Sequence, residues 1–253
     1  MTPVDDTDSW IEYWEAKHDS GARMEVETAA RNPRGHWLVV DVPVVLDEEF
    51  DISRETLHRH PDAALEQART GFERFVENAE IERAASDGFD DLAIHLVGAA
   101  QVNRDRALTL EDFPSGANTL SILPSAAVTS EPTRRLQAAS VTYRCPAGHE
   151  TAITRPPYRI GANAPTLERC GNPDCSNEVY VDDTQTVTRW LRTFDVEYGG
   201  VDLPCVATGR YATTDPGRMA SASRLELTGV LRLLADDDGG VEPVYEVLYA
   251  SPL

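Results

Sequence analysis

Apolar and polar positions along this chain change period once, near residue 90. Before that point they recur at helical spacing. Trp10, Ile11 and Trp14 lie about one turn apart behind Asp8 and Ser9, short polar residues of the kind that cap a helix start. Gly35-His36-Trp37 leads into a short extended apolar run ending near Leu46, and a helix with Phe50, Ile52 and Leu57 facing inward is expected to follow. Pro61 opens the clearest helix: Leu65, Ala68, Phe72, Phe75, Val76 and Ala79 fall on one face, and Ser86-Asp87-Gly88 ends it. The pattern predicts a helical module over residues 1–90.

Beyond it the period falls to two. Leu92, Ile94 and Leu96 alternate as in a half-buried strand, and Asn103-Arg104-Asp105 reads as a loop. Further strands are predicted over Ala107–Leu110, Leu120–Leu123, Leu136–Tyr143, Val179–Val181, Val187–Phe194, Val206–Tyr211, Arg224–Leu233 and Val244–Tyr249. Many short strands separated by Gly, Pro and Asp turns predict a small barrel or sandwich. A polar stretch interrupts the series. The expected organisation is therefore α+β and multidomain: a helical part over 1–90, a barrel over 91–143 and 181–253, and an insertion over 144–180.

That insertion carries the candidate chemistry. Cys145-Pro-Ala-Gly-His149 is followed, after twenty residues, by Cys170-Gly-Asn-Pro-Asp-Cys175. Two close pairs of soft ligands, each over a Gly/Pro turn, suit tetrahedral Zn2+, and three thiolates without an open position suit a structural rather than a catalytic ion. A Cys170–Cys175 disulfide and unrelated buried thiols are the alternatives. Cys205, in Leu203-Pro204-Cys205-Val206-Ala207, reads as a small buried hydrophobe. His58-Arg59-His60 before Pro61 reads as cations at a helix end.

Charge sharpens the picture. Asp and Glu total 43 against 23 Lys and Arg, a net charge of −20, and Lys17 is the only lysine. An acidic, lysine-poor surface stays hydrated in concentrated salt, so a halophilic source is expected. Within residues 134–169, six arginines (Arg134, Arg135, Arg144, Arg155, Arg159, Arg169) face only Glu150 and Glu168, a net +4. A cationic island beside a metal loop in an acidic chain invites a polyanion. The first thirty residues hold no apolar signal segment and no run approaches a membrane span, and thiols serving as ligands call for a reducing cytoplasm.

Six stretches, taken in order, carry a resemblance. They are Trp37-Leu38-Val39-Val40-Asp41, the Pro61–Ala79 helix, Leu110–Arg135 with Leu120-Ser121-Ile122-Leu123-Pro124-Ser125-Ala126-Ala127-Val128, and the Cys145–Cys175 ligands. Gly199-Gly200 with Leu203-Pro204 is the fifth, and Asp215-Pro216-Gly217-Arg218 with Leu227-Thr228-Gly229-Val230-Leu231-Arg232 the sixth. Together they resemble the amino-terminal region of archaeal minichromosome maintenance (MCM) helicases. The resemblance implies a helical subdomain and an OB-fold barrel carrying an inserted zinc finger, with single-stranded DNA as the main ligand and double-stranded DNA as a secondary one. It also implies a ring-shaped homo-oligomer and motor-bearing MCM subunits as further partners.

The departures shape the functional expectation. A motor needs a P-loop lysine, and Lys17, in Glu15-Ala16-Lys17-His18, has no such setting, so no enzyme is expected. Cys205 stands where the family has an arginine, and the tip that would be a basic DNA-threading hairpin reads Ala235-Asp236-Asp237-Asp238-Gly239-Gly240. Arg134, Arg135 and Arg144 flank the metal loop, and Arg189, Trp190 and Arg192 lie on the strand after it. These six are expected to line one groove for single-stranded DNA by charge and stacking. The competing readings are arginines that merely balance local carboxylates, and a scaffold or regulator of motor-bearing subunits that binds no DNA.

Overall fold

Helix α1 (Thr7–Lys17) begins a few residues ahead of the Asp8/Ser9 signal: Asp6 is its N-cap residue, and the Asp6 carboxylate instead accepts the Ser53 amide at 2.9 Å. The computed structural model describes residues 3–33, 36–47, 49–83, 89, 92–102, 107–108, 116–160, 166–213, 222–235 and 240–253. The Ser86-Asp87-Gly88 turn, the Asn103-Arg104-Asp105 loop, Thr109, Leu110, the Asp215–Arg218 stretch and the acidic tip 236–239 lie outside those residues.

After a wide turn over His18–Ala22, α2 (Arg23–Arg31) leads to strand β1 (Trp37–Asp41). The apolar run does not stay extended to Leu46. The Asp41 side chain caps a short helix α3 (Val42–Val45) by accepting the Val44 amide, with Pro43 inside its first turn, so the strand stops there. Helices α4 (Arg54–Arg59) and α5 (Pro61–Asn78) follow, then β2 (Ala93–Val97) and α6 (Ala99–Val102). Trp10, Trp14, Phe72 and Phe75 fill the space between α1 and α5, and the Trp14 indole N–H donates to the Ala68 carbonyl at 2.9 Å. His58 and Arg59 sit in the last turn of α4 as expected. Lys17 is largely enclosed, donating to the Val39 carbonyl at 2.6 Å, so the one lysine is a strut between α1 and β1.

Strand β2 pairs in parallel with β1, Trp37 opposite Ala93 through Asp41 opposite Val97, and buries Leu92, Ile94 and Leu96 among the helices. The predicted strand is therefore present, but its partner and its core belong to the helical part rather than to the barrel that starts after it.

The remaining strands are β3 (Leu120–Val128), β4 (Thr133–Arg144), β5 (Glu150–Thr154), β6 (Tyr180–Val181), β7 (Val187–Tyr198), β8 (Val201–Ala207), β9 (Arg224–Ala235) and β10 (Val241–Pro252), with a helical turn α7 (Arg210–Thr213) after β8. β3 pairs with β9, β9 with β10, β10 in parallel with β8, and β8 with β7. Ala127 and Val128 of β3 then meet Glu197 and Val196 of β7 and close the ring. Counting only these five strands in chain order, the circuit is first, second, third, fifth, fourth and back to the first, the Greek-key barrel of the OB fold. Leu123, Phe194, Val196, Leu203, Leu227, Leu231 and Tyr245 fill its interior, with the Cys205 thiol fully buried among them. Gly229 packs directly against β10: a Cβ there would fall 2.1 Å from the Glu246 carbonyl oxygen. The strand predicted over Val206–Tyr211 ends instead at Ala207 and gives way to α7.

The helical part is joined to the barrel through His95. Its Nδ1 lies 2.9 Å from the Leu248 carbonyl, and its Nε2 accepts the Arg210 amide at 3.2 Å, so the two partners select the neutral ring protonated at Nδ1. Gly209, at φ +56, leaves room for this seat, since a Cβ would lie 2.9 Å from the His95 Nε2. Full burial pushes the imidazole down from 6.5 to about 4, partly opposed by the Leu248 carbonyl. A folded pKa below the unfolded one gives stability that is complete above pH 6.5 and drains away as pH falls towards 4. The expected loss by the lower limit is on the order of 3 kcal/mol. Denaturant unfolding of wild type and His95→Gln between about pH 7.5 and 4.5 checks this: the variant should lose less stability on acidification.

Candidate metal centre and the arginine ribbon beside it

The long connection from the first barrel strand to the second carries the insertion. β4 pairs with the first half of β7 as a two-stranded ribbon, Thr133 opposite Thr193 to Ser140 opposite Val187, and the far end of β4 also pairs with β5 and β6. Two tight turns sit at that far end. In the first, the Gly148 amide donates to the Cys145 carbonyl at 2.9 Å and the Cys145 amide to the His149 carbonyl at 3.0 Å. In the second, the Cys175 amide donates to the Asn172 carbonyl and the Cys170 amide to the Asn177 carbonyl, both at 3.0 Å. Each turn brings two ligand residues onto one side.

Cys145 Sγ, His149 Nδ1, Cys170 Sγ and Cys175 Sγ all lie within 4.8 Å of one another. Cys145 Sγ and Cys170 Sγ are each 3.6 Å from His149 Nδ1, and Cys145 Sγ is 3.9 Å from Cys175 Sγ. With metal–sulfur bonds of about 2.3 Å and metal–nitrogen bonds of about 2.0 Å, tetrahedral edges are about 3.8 Å for S···S and about 3.6 Å for S···N. The four donors therefore stand at the corners such an ion needs. The Cys170–Cys175 disulfide is not formed: all four cysteines are free.

The electrostatics agree. Burial pushes the Cys145 thiol up, but the amides of His149 and Ala147 and the neighbouring sulfurs overcome this and bring it to about 7. At Cys170 the Asn172 amide favours the thiolate, whereas burial and the other two sulfurs oppose it and raise the thiol overall. Three thiolates this close repel one another, and a divalent cation at their centre removes that conflict. Cys205, by contrast, is raised well above an ordinary thiol by burial.

The six residues expected to share a groove do not do so. On a ladder, alternate residues face opposite sides and directly opposed residues share one. Arg134 opposes Arg192 and Leu136 opposes Trp190 on one face, while Arg135 opposes Leu191 and Gln137 opposes Arg189 on the other. On the first face the Arg134 guanidinium lies 4.0 Å over the Trp190 ring. Trp190 is 41% and Leu136 58% exposed, so this is an open platform, with Arg192 mostly buried at its barrel end. Arg135 is exposed on the opposite side.

Arg189 and Arg144 are engaged elsewhere. Arg189 donates through Nε to Gln137 at 3.1 Å and through Nη2 to the Arg155 carbonyl. Arg144 pairs with Glu150 and, at 3.4 Å, with Asp182. For Arg144 the charge-balancing reading holds. Two features escaped sequence reasoning: the Gln137 amide, which donates to the Arg159 carbonyl at 3.1 Å and ties the chain after β5 to the ribbon, and the surroundings of Arg232. Arg232 bonds Glu246 at 2.7 Å, Asp62 at 2.5 Å and Asn118 at 3.1 Å, with its guanidinium 4.6 Å over the Tyr158 ring. Its place in Leu227-Thr228-Gly229-Val230-Leu231-Arg232 was the available signal.

No protein-family model matches the chain, and no curated protein does. Among solved structures it is similar to the 1.8 Å crystal structure of the N-terminal domain of an archaeal MCM, at a TM-score of 0.68 and 9% sequence identity, over 98% of this chain and 99% of that one. The likeness covers the helical part, the barrel and the insertion together, and it establishes the fold.

Proposed function

We propose that this chain is an MCM amino-terminal-like replication module that holds single-stranded DNA on the β4–β7 ribbon, carries a structural zinc in the adjoining lobe, assembles into rings and has no motor of its own. The observation that carries the reading is the exposed Arg134–Trp190 pair, with Leu136 beside it, on the ribbon rising from the first interstrand connection of an OB barrel. That connection is a habitual oligonucleotide site of the fold. An indole face accepts any base by stacking, and an arginine above it supplies a phosphate partner. The net charge of −20 and a lysine already engaged with Val39 and Glu25 suit a protein working in concentrated salt. There the Debye length contracts to about 3 Å at 1 M, so contact stacking matters more than steering.

The test is fluorescence anisotropy of a labelled oligothymidylate over a salt series with protein shown to be folded. Trp190→Ala is expected to weaken binding about tenfold or more, a stacked base being worth about 1–3 kcal/mol. Arg134→Gln should flatten the log–log salt slope by about 0.7, and Arg144→Gln should leave affinity unchanged. Folded protein that binds nothing at modest salt rejects the DNA half of the proposal. Light scattering tests the assembly half, a monomer at high protein concentration arguing against rings.

A further inference from the structure

Between the helical part and the base of the ribbon lies a cleft of about 550 Å³, within the size range of small-molecule pockets. Four arginines and three carboxylates reach its wall, a local net of +1 in a chain carrying −20. Arg232 answers Asp62 and Glu246, and Arg69 lies 3.5 Å from Glu66 while donating to the Leu92 carbonyl. The three carboxylates of the wall are thus engaged by these two arginines, and Arg155 pairs with none of them.

Arg155 is the unusual member. It is only 8% exposed, its Nη2 donates to the Arg159 carbonyl at 2.6 Å, and its buried Nε has no acceptor. No carboxylate among the described residues pairs with it. Its charged neighbour is another cation, Arg159, and burial together with that cation pushes its pKa down. An enclosed guanidinium keeps its proton all the same, and an enclosed charge without a counter-ion is costly. Arg189 is fixed beside it through the Arg155 carbonyl, and Thr154 and Thr188 also line the cleft. Leu65, Ile94, Tyr158 and Trp190 are among the apolar residues of the lining.

We propose that this cleft is a binding site for a small phosphate-bearing ligand of mononucleotide size, with the phosphate at Arg155 and the remainder against the apolar wall. An enclosed fork of donors matches phosphate geometry. The cleft adjoins the exposed ribbon platform, since Trp190 also lines it, but its phosphate seat is Arg155 rather than Arg134, which lies outside the lining.

Calorimetric titration of the folded full chain with inorganic phosphate, and then with adenosine monophosphate, tests it. Saturable binding is expected, tighter for the nucleotide. Arg155→Gln should weaken it at least tenfold, Arg155→Lys should retain part of it, and Arg135→Gln should change nothing. Hydrogen exchange on wild type supplies a readout that needs no variant: phosphate should slow exchange over residues 154–158 and 188–190. If an oligothymidylate displaces phosphate in an Arg155-dependent way, the phosphate held is that of a nucleic-acid chain, which overturns the small-molecule assignment; if it does not, the ligand is a free small molecule, as proposed. Absence of saturation with both probes, or Arg155→Gln binding like wild type, also overturns the proposal. Loss of oligonucleotide binding in Arg134→Gln, a residue outside the cleft lining, with phosphate binding intact is the signature that separates the two sites.

Discussion

Arg232→Leu is expected to lower the thermal unfolding midpoint on the order of 10 °C, which calorimetry at neutral pH will detect. The guanidinium is only 5% exposed and ties β9 to Glu246 on β10, to Asp62 at the start of α5 and to Tyr158 on the chain leaving β5. Burial works against its charge, but the Asp62 and Glu246 carboxylates more than compensate and raise it above an ordinary arginine. Removing one partner of a buried pair costs about 3–5 kcal/mol, because the other is left desolvated, and a domain of this size loses about 2–4 °C per kcal/mol. The orphan would be Glu246, whose carboxyl burial already pushes up even with Arg232 in place. In the variant it has every reason to take a proton, so the deficit should shrink as pH falls into the carboxylate range. Asp62 is 66% exposed, so Asp62→Asn is expected to cost less than about 1 kcal/mol. A similar loss in both variants would mean that the latch depends on its exposed arm.

Stripping the metal with a chelator, or changing Cys170→Ser, is expected to unfold the lobe while the barrel stays folded. Among its described residues the Cys145–Val181 segment buries few large apolar side chains; Tyr180 and Val181 are themselves exposed, at 53% and 44%. A structural zinc contributes about 10–16 kcal/mol to folding in small domains, far more than that surface can. Hydrogen exchange should therefore show amides of the Cys145–His149 and Cys170–Cys175 turns exchanging at least about a thousandfold faster without metal, while β9 and β10 keep their protection. Adding Zn2+ should restore the turns in the stripped wild type and fail to do so in Cys170→Ser. The stripped protein, its lobe already unfolded, is expected to show only the transition of the parts that stay folded.

What could be read in advance follows from the range of the physics involved. The metal ligands were legible because each pair is local: a Cys or His at either end of a Gly/Pro turn is placed by backbone geometry that the sequence displays. Helix α5 was legible because Leu65, Phe72 and Phe75 repeat at the helical period. Barrel closure through Ala127 and Val128 onto Val196 and Glu197 was not, since it depends on two strands meeting across about seventy residues of chain. The single groove failed for a simpler reason. Arg134 and Arg189 differ by one step in ladder parity, and register is fixed by long-range pairing rather than by the local pattern. His95 and Gln137 gave no local sign at all, because a polar residue becomes a strut only when the partner that buries it is known.

X-ray absorption at the zinc edge, on folded protein purified without added metal, tests the central claim most directly. The account predicts one zinc per chain with three sulfur neighbours at about 2.3 Å and one nitrogen at about 2.0 Å. Folded protein with no bound metal, or a zinc surrounded by oxygen, would contradict it.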